Sequence, residues 1–224
     1  QAARLDPNYA MAYSNRGNAY FDKRDYDRAI ADLNTAIKLN PGAVGAYYDR
    51  GIAYGLKGEI DQAIADFNEA IKLDRNNATA FNNRGVAYGM KGELDRALAD
   101  FDTALKLKPS HVGALTNRAN AFLDRREPDR AIADFDQALK LDPKAAYALH
   151  DRGVAFYKKR ELERAIADYE QLTQLDVQLT TGAKLNGGDL RAQGGFDRGA
   201  SEGSRAIKVC PAFALAYLAA SLYV

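Results

Sequence analysis

Cysteine is almost missing from this chain. The single Cys210 excludes an internal disulfide and any metal site built from several cysteines. The two histidines, His111 and His150, stand far apart in sequence, and metal binding needs several ligands to converge. Charge of one sign is equally scarce: 31 Lys and Arg face 30 Asp and Glu. That balance gives no electrostatic reason to expect nucleic acid or an anionic membrane as partner. No apolar run is long enough to span a bilayer. The glycine-rich stretch "LNGGDLRAQGG" lacks the GxxxxGK[ST] pattern and a preceding strand, so it is not read as a phosphate loop. No Ser-His-Asp set or isolated carboxylate pair occurs, and Cys210 beside Pro211 has no activating partner in view. Catalytic residues, metal ions and cofactors are therefore not expected. A cytoplasmic setting is the default, with the compartment open because an address label could lie upstream.

What the chain has in quantity is repetition. "DRAIADLNTAIKLNP", "DQAIADFNEAIKLDR", "DRALADFDTALKLKP", "DRAIADFDQALKLDP" and "ERAIADYEQLTQLDV" follow one another. Pro7 and Pro41 lie 34 residues apart, as do Pro109 and Pro143, and Pro211 keeps the same register. Arg75 and Val177 occupy the register points without proline. A fixed period in this range indicates a solenoid of stacked supersecondary units. Within residues 44–77, Tyr47, Gly51 and Tyr54 mark one face of a first helix, and Lys57-Gly58 breaks it. Ala63, Phe67, Ala70 and Ile71 mark a second helix from about Ile60 to Leu73. Two such short helices cannot bury their apolar faces alone, so neighbouring units must stack. Small residues (Gly51, Gly85, Ala63, Ala97) alternate with large ones (Tyr54, Tyr88, Phe67, Phe101), which is the pattern interdigitation needs.

In the unit that begins at residue 78, Phe81, Gly85, Tyr88, Ala97, Phe101, Ala104 and Pro109 carry the pattern of tetratricopeptide repeats, which this sequence resembles over roughly residues 1–179. The resemblance implies an all-α fold, a right-handed superhelical solenoid of antiparallel helix pairs with a concave groove lined by the first helices. It also implies a peptide or partner protein as ligand. The expected division is a tail of a preceding repeat at 1–9, then repeats at 10–43, 44–77, 78–111, 112–145 and 146–179. A degenerate repeat with seven glycines follows at 180–213, and an apolar helix at 214–224 closes the chain. The opening "QAARLDP" reads as the end of a unit, as though the chain started within one.

Beside the invariant stripe of each first helix runs a variable one, and this contrast marks the candidate binding surface. In successive units it holds Asn15 and Asn18; Tyr48, Asp49 and Ile52; Asn82, Asn83, Val86 and Met90; Asn117, Asn120 and Leu123; His150, Asp151 and Tyr157. Asn15, Asp49, Asn83, Asn117 and Asp151 form a ladder, one per unit, able to grip the main chain of an extended peptide. The ladder resembles the asparagine ladder in the repeat domain of O-linked N-acetylglucosamine transferases. The lysine/arginine clamp used by relatives that hold a terminal carboxylate is absent: Met11, Ser14, Thr79 and Asn82 stand in its places.

Arginine stands where the family pattern usually has leucine, at Arg16, Arg50, Arg84, Arg118 and Arg152. Asp32, Asp66, Asp100, Asp134 and Asp168 recur with the same period, so the arginines are expected to pair within the scaffold rather than with phosphate. The sequence-level reading is a non-catalytic scaffold that binds an extended segment of a protein partner. Two alternatives stand beside it: homo-oligomers formed through the incomplete N-terminal unit and the apolar C-terminal helix, or the targeting arm of a larger enzyme.

Overall fold

The computed structural model describes residues 9–180; the glycine-rich segment and the apolar C-terminal helix expected from the sequence lie outside them. Ten helices and no strand make up the described residues, which fall into two compact units divided between Pro109 and Ser110. The first unit holds α1 (Ala10–Asp22), α2 (Tyr26–Leu39), α3 (Val44–Leu56), α4 (Ile60–Leu73), α5 (Ala78–Met90) and α6 (Leu94–Leu107). The second holds α7 (Val112–Asp124), α8 (Pro128–Leu141), α9 (Ala146–Lys158) and α10 (Leu162–Thr180).

Local chemistry sets the helix limits. Asp25 caps α2 by accepting from the Arg28 amide, Asn77 caps α5 by accepting from the Ala80 amide, and His111 Nδ1 accepts from Ala114 N at the start of α7. The second helices α2, α4, α6 and α8 begin acidic and end basic, as Asp61 and Lys72 do in α4, which suits the helix dipole. Within each pair the chain reverses through one residue at positive φ: Gly58 and Gly92 in two turns, Arg24, Arg126 and Arg160 in three. Arg75 does not need to be proline for α4 to stop. Asp74 takes an extended conformation, and its carboxylate accepts from the Asn76 amide. At Val177 no such device acts, and α10 continues to Thr180.

Packing follows the sequence pattern. In α2, α4, α6 and α8 the alanines at two recurring positions are wholly buried, as Ala29 and Ala36, Ala63 and Ala70, Ala97 and Ala104, Ala131 and Ala138. Between them Leu33, Phe67, Phe101 and Phe135 are buried as well. Each of these large side chains contributes on the order of 2–3 kcal/mol by leaving water. The partner helix approaches so closely that a Cβ on Gly51 would sit 2.8 Å from the Phe67 ring. On Gly85 it would sit 2.7 Å from Phe101 and 3.1 Å from the Ala97 carbonyl oxygen. Within each unit, consecutive pairs join by the second helix of one packing on the first helix of the next. Leu33, Ala36 and Ala46, with Tyr13, Ile37 and Ala43 around them, form such a seam between α2 and α3.

Candidate functional site

The arginine and aspartate rows meet as the sequence predicts. Arg50 grips Asp66 with Nε at 2.8 Å and Nη2 at 2.6 Å, and Arg84 grips Asp100 at 2.8 and 2.7 Å. Arg16 and Asp32, Arg118 and Asp134, Arg152 and Asp168 repeat the two-pronged contact. The aspartates are buried, and their hydrogen bonds hold the Arg50, Arg84 and Arg152 guanidinium groups charged more firmly than usual despite partial burial. These cations are committed to the scaffold. Arg50 Nη1 also reaches back to Asn34, Arg84 Nη1 to Asn68 at 2.7 Å, and Arg152 Nη1 to Asp136 at 2.6 Å, so each fork ties three helices together.

This third contact was not anticipated from the sequence, although the period would have shown Asn34, Asn68 and Asp136 in one register. A second unanticipated tie lies at the turns. Lys57 pairs with Asp27 of the preceding pair, Lys91 with Asp61 and Lys159 with Asp129, at 2.6–2.7 Å. At the start of the second helices, Arg96 lies 3.8 Å from the centroid of the Tyr88 ring, Arg130 4.0 Å from Phe122 and Arg164 3.9 Å from Phe156, each cation over an aromatic face.

The variable stripe is uneven. In the first unit Asn15 is exposed, Asn18, Tyr48, Asp49 and Val86 are half-buried, and Met90 is 49% exposed. Ile52, Asn82 and Asn83 are buried. Asn82 donates to Asn83 Oδ1, and Asn83 Nδ2 donates to Tyr48 Oη at 2.9 Å, a polar relay that ties α5 to α3. Asn18 Oδ1 is buried with no hydrogen-bond partner among the described residues. In the second unit Asn117, Asn120, Leu123, His150 and Asp151 are half-buried, and Tyr157 is 40% exposed. Asp151 accepts from Asn120 Nδ2 at 2.9 Å and lies 3.0 Å from His150 Nδ1, while the His150 ring packs edge-on to Tyr169. Two members of the ladder, Asn83 and Asp151, therefore bond to side chains of the preceding repeat, Tyr48 and Asn120. Beside them there is room: a Cβ added at Gly45 or Gly89 would meet nothing within 4 Å. Leu56, in the row with Met90, is 43% exposed.

Among the described residues no three His, Cys, Asp or Glu side chains gather as a metal-binding group, and no helix is long and apolar enough to cross a membrane. Family models described as "TPR repeat" match residues 17–58 and 56–92, and models described as "Tetratricopeptide repeat" match 78–111 and 116–176. The chain belongs to the tetratricopeptide repeat family. Repeats of this family are in general non-catalytic modules that bind protein or peptide partners.

Solved tetratricopeptide structures share the fold at low identity. The MamA protein superposes with a TM-score of 0.65 and 21% identity, over 79% of this chain and 97% of its own. PilF of Pseudomonas aeruginosa gives 0.69 and 21%, over 78% and 77%. YrrB, described as a TPR protein with an unusual peptide-binding site, gives 0.60 and 23%, over 78% and 90%. No curated protein matches the sequence significantly. Within the family pattern, the arginine that stands in place of leucine exchanges an apolar contact for the three-helix tie described above.

Proposed function

We propose that this tetratricopeptide array is a non-catalytic scaffold that holds an extended segment of a partner protein along its first helices. The repeat limits 10–43, 44–77, 78–111, 112–145 and 146–179 belong to the same reading. One observation carries it: exposed apolar side chains recur on these helices beside amide groups and beside glycines with open space around them. Leu56 and Met90 stand exposed on α3 and α5, the helices that also carry the Tyr48–Asn83 relay and the open positions Gly45 and Gly89. Tyr157 stands exposed in the second unit on α9, the helix that also carries His150 and Asp151. Apolar side chains kept in water beside convergent polar groups support a binding face. YrrB, a repeat protein of the same fold, is described as having a peptide-binding site, which adds support from analogy.

The roles within the stripe differ. Asn15, exposed on α1, meets the peptide main chain, whereas Asn83 acts by holding the Tyr48 hydroxyl. Met90, Leu123 and Tyr157 supply apolar anchoring. The test is capture on a peptide array by wild type and by Met90→Glu with Tyr157→Glu. Met90 and Tyr157 are exposed, so the double variant should melt like wild type while its capture falls at least tenfold. Undiminished capture by the double variant would remove this face from the reading.

A further inference from the structure

We propose that the turn joining α3 to α4 is a docking site for an arginine side chain of a partner protein, formed by the Tyr54 ring and the Glu59 carboxylate. The proposal does not draw on the peptide-binding face and starts from a comparison of the described helix pairs. In four of them an arginine in the first turn of the second helix makes two contacts at once. It lies over an aromatic ring of the first helix: Arg28 over Tyr20 at 4.6 Å from the centroid, Arg96 over Tyr88 at 3.8 Å, Arg130 over Phe122 at 4.0 Å and Arg164 over Phe156 at 3.9 Å. It also donates to the carboxylate three residues before it, on Asp25, Glu93, Glu127 or Glu161. Arg96 donates to Tyr88 Oη as well.

The pair α3 and α4 has the ring and the carboxylate but not the arginine. Gln62, exposed and uncharged, stands in the register of Arg28, Arg96, Arg130 and Arg164. Among the described residues the Tyr54 ring has only Arg50 near its face, at 5.9 Å. That distant contact does not replace the close one, because other pairs have both: Arg84 lies 5.8 Å from Tyr88, and Arg152 5.8 Å from Phe156. The ring is correspondingly open. Tyr54 is half-buried, whereas Tyr88 and Phe122 are 4% exposed and Phe156 is 2% exposed. Lys57 holds Glu59 Oε1 at 2.7 Å, as Lys159 holds Glu161 Oε1 at 2.6 Å. Glu59 Oε2, the oxygen that accepts from arginine in Glu93, Glu127 and Glu161, has no partner among the described residues.

The turn itself keeps the same frame. The Glu59 amide donates to the Tyr54 carbonyl at 2.9 Å, as the Glu93 amide does to Tyr88 at 2.9 Å and the Glu161 amide to Phe156 at 3.0 Å. An open aromatic face and an unused carboxylate oxygen therefore stand where this chain elsewhere seats an arginine. A guanidinium fits both at once, its flat cation lying over the ring while its edge donates to the carboxylate. A lysine ammonium, a compact point charge, does not combine the two contacts in this way. Lys57 does not bar entry, because Glu161 holds Lys159 at 2.6 Å and Arg164 at 2.7 Å together.

The experiment is capture on a peptide array printed in three versions, with arginine, lysine or citrulline at the same positions. Wild type should hold the arginine version roughly fivefold more strongly than either of the others. Gln62→Arg supplies the missing internal arginine and should abolish that preference. Gln62 is exposed, so this variant should melt no lower than wild type. Glu59→Gln, which keeps the shape and removes the charge, should lose the preference as well. Met90→Glu with Tyr157→Glu alters the peptide-binding face and should lower total capture while leaving the ratio of arginine to citrulline unchanged, so the two readings fail separately. Equal capture of the three versions by wild type, an arginine preference that survives in Gln62→Arg, or one that disappears with Met90→Glu and Tyr157→Glu overturns the proposal.

Discussion

Single residues carry more of this structure than their surface positions suggest, and the turn arginines are the plainest case. Arg24, Arg126 and Arg160 sit at φ near +60°, where Gly58 and Gly92 serve the equivalent turns. A side chain there crowds the following carbonyl and costs about 1–2 kcal/mol, partly offset because glycine is freer in the unfolded chain. Arg126→Gly should therefore stabilise the protein by roughly 0.5–1 kcal/mol, read as a higher Tm in thermal denaturation; an unchanged or lower Tm would assign the Arg126 side chain a compensating contact. The core glycines act in the opposite sense, since at Gly51 and Gly85 an aromatic ring already occupies the space a Cβ would need. The arginine and aspartate rows show a repeated charge made safe by burial: each carboxylate is removed from water, and two hydrogen bonds from one guanidinium offset that cost. Their pairing could be read from the sequence because both rows share one period. The Asn83 contact with Tyr48 could not, because it depends on how closely α5 approaches α3.

Helices are the scale at which acid should act. Glu93, Glu127 and Glu161 stand at the starts of α6, α8 and α10, each beside cations of its own turn and helix. The hydrogen bond from Arg96 lowers the Glu93 carboxyl below its ordinary range. Arg130 does so chiefly for Glu127, and Lys159 followed by Arg164 for Glu161. A carboxylate depressed in the folded state contributes stability above its unfolded value, about 4.3 for glutamate. That contribution is lost as pH falls through the lower folded value. The expected outcome is a Tm that holds at neutral pH and drops below about pH 4.3, with a smaller drop in the triple glutamine variant at these positions. These groups are exposed and screened by salt, so the effect is small, and equal acid slopes in both proteins would remove it. Helix limits were legible to within a residue or two where proline, asparagine or glycine stands. At Asp74 the limit was legible too, Leu73 being the last residue of α4 as expected, although the aspartate turn that replaces proline there was not; at Val177, which α10 runs through, the limit was not legible.

For the molecule as a whole, stability is built from neighbour-to-neighbour seams, so its distribution along each unit is uneven. In the first unit α3 is packed by α2 on one side and α4 on the other, whereas α1 packs mainly on α2 and leaves Arg16 half in water. Amide hydrogen exchange at low protein concentration should therefore be faster in α1 than in α3, because an end helix opens without breaking a second seam. Uniform exchange along α1 to α5 would show the unit opening as one body.

The sequence by itself determined the all-α class, the 34-residue register, the buried alanine and aromatic stripes and the internal fate of the arginines. All of these are periodic, and a stack of like units turns a period in sequence into a row in space. The tertiary structure alone decided which members of the variable stripe remain open. Asn15, Met90 and Tyr157 are exposed, while Ile52, Asn82 and Asn83 are enclosed or engaged. Accessibility depends on what a neighbouring helix brings to the same place, and that neighbour lies some 30 residues or more away along the chain.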